Sequence, residues 1–78
     1  REEPASALEA YRTAQREAEA LADKEPGIAT HKRELSLVHD RIGDVLSSGG
    51  DVAAALESYA SSLALMQELA KQDANRLE

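Results

Sequence analysis

The 78-residue chain contains no cysteine, no phenylalanine and no tryptophan, and its only aromatics are Tyr11 and Tyr59. Without cysteine there is neither a disulfide framework nor a thiolate metal site, and the redox compartment is left open. No apolar run approaches the roughly 18 residues of a membrane span, and the opening REEPAS has no signal-peptide anatomy. Basic residues are also short in supply. Nine Lys+Arg against fifteen Asp+Glu give a net charge of -6, the wrong sign for the basic footprint of a nucleic-acid or anionic-membrane binder. What remains is 42% hydrophobic and 31% charged, a globular composition near the lower size limit for a single core. The expectation is one soluble, cytoplasmic domain spanning 1–78, with no cofactor and no metal.

Glycine and proline are few and fall at punctuating positions. Pro4 suits a first helical turn, and Glu2 and Glu3 favour the positive end of the helix dipole. An Ala-, Glu-, Arg- and Gln-rich segment follows, with Leu8, Tyr11, Ala14, Ala18 and Leu21 on one stripe. Pro26-Gly27 stops it. A second stripe, Ile28, Leu35, Val38, Ile42, Val45 and Leu46, has His31 and His39 on or beside it, Gly43 on its flank, and Arg33, Leu37, Asp40 and Asp44 opposite. Ser47-Ser48-Gly49-Gly50-Asp51 is a loop in which glycine ends one helix and Asp51 caps the next. The third stripe runs Val52, Leu56, Tyr59, Leu63, Met66 and Ala70 in heptad-like order, widened by Ala55, Ser62, Leu65 and Leu69. These patterns predict an all-α fold of three antiparallel helices over about 5–24, 28–48 and 51–73, with fraying from Asn75 to Glu78.

The first and third helices are related. ALEAY at Ala7–Tyr11 matches ALESY at Ala55–Tyr59, 48 positions later, and Leu21-Ala22 matches Leu69-Ala70 at the same offset. The two tyrosines occupy equivalent slots. His39-x2-Ile42-Gly43-x2-Leu46, followed by Ala55-x3-Tyr59, resembles the tetratricopeptide repeat, whose pattern is W-x2-L-G-x2-Y, A-x3-F and P. His39 stands for the Trp, Leu46 for the Tyr and Gln67 for the Pro. The 48-residue offset exceeds the usual 34, and is similar to extended arrays of bacterial multidomain proteins. The resemblance covers Ala7 to Asn75. It implies an α-solenoid fragment, one helix hairpin plus the preceding helix of a neighbouring repeat, in which Gly43 and Ala55 let helix backbones approach and Tyr59 fills the space beside them.

The chemistry-bearing residues point away from catalysis. His31 and His39, eight apart, lie about 12 Å from each other along a helix, too far to share a metal, and His31 with Glu34 makes a weak pair at best. Asp40 and Asp44 sit one turn apart on an exposed face without a nucleophile or a pocket of aromatics. The Ser-Ser-Gly-Gly loop lacks the Lys and the strand of a phosphate cradle. The resemblance places a peptide groove on the first helix of each pair, which here means Leu37, Asp40, Asp44 and Ser47. The helical wheel separately puts Leu37, Asp40 and Asp44 away from the buried stripe. The expected function is therefore a non-catalytic protein–protein interaction module taking a basic or neutral peptide or helix. A homo-oligomerisation element is the first alternative, a homodimer joined through Leu65 and Leu69, which one antiparallel neighbour would leave uncovered. A regulatory or substrate-binding helical piece of a larger enzyme is the second.

Overall fold

The computed structural model describes residues 4–76. Three helices occupy nearly all of them: α1 (Pro4–Lys24), α2 (Ala29–Ser48) and α3 (Val52–Arg76). No strand occurs among the described residues. The third helix continues three residues beyond its expected end at Asp73, through Asn75, and the reading of Glu2 and Glu3 lies outside the described residues.

The breaks have identifiable chemistry. α1 closes with the Glu25 amide on the Leu21 carbonyl at 2.9 Å, after which Pro26 and Gly27 turn the chain. Ile28, at φ -94° and ψ 102°, is extended and enters α2 without a side-chain cap. The end of α2 is a Schellman turn: Gly50 N–H donates to Ser47 O at 3.0 Å and Asp51 N–H to Leu46 O at 2.9 Å. Gly50 carries the left-handed φ of 90° that this turn needs. Asp51 Oδ1 then accepts the Ala54 amide at 3.2 Å, capping α3.

α2 is the middle element. It packs against α1 on one side and α3 on the other, while α1 and α3 do not pack on each other. Its contacts with α3 pair Lys32 with Glu68, Ser36 with Ser62 and Asp44 with Tyr59, so the two helices run antiparallel. The buried apolar residues are Ala22, Leu35, Ile42, Ala55 and Leu69, with Ile42 fully enclosed.

The α2–α3 seam differs from the one expected. Of the expected buried stripe Tyr59 does pack on α2, whereas Val52, Leu56, Leu63, Met66 and Ala70 do not. The first four of those five are 60%, 62%, 60% and 49% exposed, and Ala70 is exposed too. The face of α3 that meets α2 carries Ala55, Ser58, Ser62 and Leu69. The physical reason is size. Ser36 on α2 meets Ser62 of α3, Gly43 one heptad on leaves room for the Tyr59 ring, and the helices approach close enough for a buried hydrogen bond. Ser36 Oγ lies 2.7 Å from Ser62 Oγ and 3.3 Å from the Ser62 carbonyl. Larger side chains at these positions would hold the helices apart.

Gly43 is part of the same device. A Cβ built there would lie 2.6 Å from a ring carbon of Tyr59, inside any real contact distance. The close partner is therefore the tyrosine ring, which occupies the space that a side chain at 43 would need.

Candidate functional site

Leu37 protrudes from the outer side of α2, 53% exposed. Beside it, α2 and α3 enclose an open groove of ≈ 400 Å³, with Leu37, Ser36 and Met66 on its apolar side and Thr30, Arg33, Glu34 and Asp40 around it. Ser36 belongs both to this groove and to the buried seam, where it bonds to Ser62.

The four residues assigned to partner binding fall into two groups. Leu37 and Asp40 line the groove together. Asp44 lies one turn on and outside that lining, where it accepts the Tyr59 hydroxyl proton in a 2.5 Å hydrogen bond. This bond raises the Tyr59 pKa above its ordinary 10.0, because ionising the phenol would end the donation and set two negative charges together; burial and the Asp44 and Asp40 charges act in the same direction. Ser47, near the end of α2, is exposed and outside the groove lining. The sequence reading places Met66 in the buried stripe of the third helix and does not assign it or Ser36 to the groove. The signal for Met66 was available in the antiparallel pairing, which sets it level with Arg33.

The residues assigned to self-association do not form an open face. Leu69 is 5% exposed and Leu65 is half-buried. The expectation that one neighbour would leave them uncovered fails because α3 turns its small-residue face, which includes Leu69, toward α2. The exposed apolar surface of α3 lies about a quarter turn away, at Val52, Leu56, Leu63 and Met66.

The histidines have separate surroundings. His31 Nε2 donates to Glu25 Oε1 at 2.8 Å, tying the start of α2 to the turn before it. His39 lies half-buried at the bottom of a smaller cleft with Arg12 and Gln15 of α1 and Ala54, Glu57, Ser58 and Ser61 of α3. Burial lowers its pKa below 6.5. Arg12 acts with burial, while Glu19 and Asp40 oppose it. Among the described residues, no three His, Asp or Glu side chains gather as a metal site requires. No described helix is long and apolar enough to cross a membrane.

No family model, curated protein or solved structure matches the chain.

Proposed function

We propose that the protein is a non-catalytic interaction module of tetratricopeptide-like type, which binds an extended or helical segment of a partner along the outer face of α2. The observation that carries this reading is the groove itself. An exposed leucine and an exposed methionine, on different helices, share one concave surface with Asp40 on its wall and Asp44 one turn away. Such a surface combines an apolar anchor point with peripheral charge that orients and selects.

The chain's net charge of -6 and the two aspartates favour a partner with Lys or Arg beside an apolar residue. Arg33 and Glu34, at the other end of the groove, offer a counterpart to charges of either sign.

Selection of random dodecapeptides displayed on phage against the immobilised chain tests this. The reading expects enrichment of Lys or Arg next to Leu, Ile or Met. Selected peptides should lose affinity in Asp40→Asn with Asp44→Asn, by up to about fivefold per charge, since exposed pairs contribute roughly 0.2–1 kcal/mol. Their binding should also weaken with added salt, which screens exposed charges over about 8 Å at physiological ionic strength. Peptides that bind the double variant as well as the wild type would move the site elsewhere.

A further inference from the structure

The exposed stripe of α3 has a counterpart in the same chain that is already covered. Shifted by 48 positions, Leu56, Tyr59, Leu63, Met66 and Ala70 fall on Leu8, Tyr11, Gln15, Ala18 and Ala22. In α1 that stripe is the packed one: Ala22 is buried and the other four are half-buried. α1 packs on no element except α2, so α2 is what covers it. The stripe repeated on α3 is the more apolar of the two, with leucine for Gln15 and methionine for Ala18, yet all of it except Tyr59, which lies against Gly43, faces solvent.

Charge points the same way. Between Val52 and Ala70 the only ionisable groups besides Tyr59 are Glu57 and Glu68. Glu57 lies in the cleft beneath α1, and Glu68 pairs with Lys32 across the α2 seam. In a chain that is 31% charged, one helix face has been left free of charge. A solvated face has no need of that, whereas a face that packs against an apolar stripe does.

We propose that this α3 face is a docking surface for a partner's amphipathic helix with the apolar pattern of α2, that is, apolar residues at the spacing of Leu35, Val38, Ile42 and Val45. The α1–α2 contact is the template: α2, with Leu35 and Ile42 buried and Val38 and Val45 half-buried, covers the same stripe built of weaker residues on α1. Docking here centres on Leu56 and Leu63, which lie outside the lining of the groove beside Leu37; Met66 borders both surfaces. Docking selects apolar spacing, not basic charge, so Asp40→Asn leaves it unchanged.

The test uses a fluorescein-labelled synthetic peptide of the α2 sequence, residues 29–48, titrated with the whole protein and read by anisotropy and far-ultraviolet circular dichroism. The expected result is saturable binding with a gain of helical signal. Leu56→Ala together with Leu63→Gln, neither of which lines the groove, should weaken it at least tenfold. Both positions are exposed, so the variant keeps its own helical signal, and a peptide with Leu35→Glu and Ile42→Glu should not bind. Three results would each overturn the proposal. One is no saturable binding up to millimolar peptide. Another is equal affinity for the variant. The third is sedimentation showing that the protein pairs with a second copy through this face, its mass returning to that of a monomer in the same variant.

Discussion

At the scale of single residues, the fold depends on side chains that are small where small is required. Gly43 faces the Tyr59 ring so closely that any Cβ displaces it. Gly43→Leu is expected to destabilise by about 1–3 kcal/mol through overpacking, although leucine is intrinsically the better helix former by up to about 1 kcal/mol. For a domain this size each kcal/mol lowers the melting temperature by roughly 4–8 °C. An unchanged melting temperature would show that the ring swings aside at no cost. Ser36 and Ser62 make a second test. A double-mutant cycle to alanine should return a coupling of about 1 kcal/mol if their hydroxyls bond to each other, and none if each is satisfied by its own helix backbone.

At the scale of elements, the breaks were legible in sequence and the choice of packing face was not. Pro26-Gly27 and Ser-Ser-Gly-Gly-Asp have few conformational options, and the structure uses Gly50 and Asp51 as turn and cap. Replacing Asp51 with alanine should cost about 0.5–2 kcal/mol in urea denaturation, the usual range for a lost N-cap. Periodicity counts only hydrophobicity and so points to the wrong face of α3. Its most apolar stripe, Val52, Leu56, Leu63 and Met66, looked like the core, and the seam formed instead on Ala55, Ser58 and Ser62. The missing criterion was close approach. Ser62 meets Ser36, and Gly43 makes room for the Tyr59 ring, so small residues one heptad apart on α2 mark the tight crossing. The groove was partly legible for the same reason. Leu37 and Asp40 follow from α2 alone, whereas Met66 required knowing which side of α3 turns outward.

At the scale of the whole molecule, α2 is the layer on which both other helices rest, in a body with extents of 46 × 21 × 18 Å. Beside its contact with α3 lie two exposed apolar surfaces, the groove at Leu37 and the outer face of α3. His39, at the bottom of the α1–α3 cleft, makes the body sensitive to acid. Its imidazole is easier to protonate in the unfolded chain, at about 6.5, than in the fold, where burial lowers the pKa. The unfolded state therefore binds more protons in that interval. The histidine's contribution is complete above about pH 6.5 and is lost as the pH falls toward the lower folded value. Between pH 7 and 5, urea midpoints of wild type should fall more than those of His39→Gln, and parallel curves would assign the acid sensitivity elsewhere.

The reading of the molecule as an interaction module comes down to where a bound segment lies. Titrating ¹⁵N-labelled protein with a peptide selected from the displayed library, and following amide shifts, locates it residue by residue. The account predicts that the largest shifts fall at Leu37, Asp40, Asp44 and Met66, with α1 unaffected. Shifts centred on α1, or on the His39 cleft between α1 and α3, would contradict it.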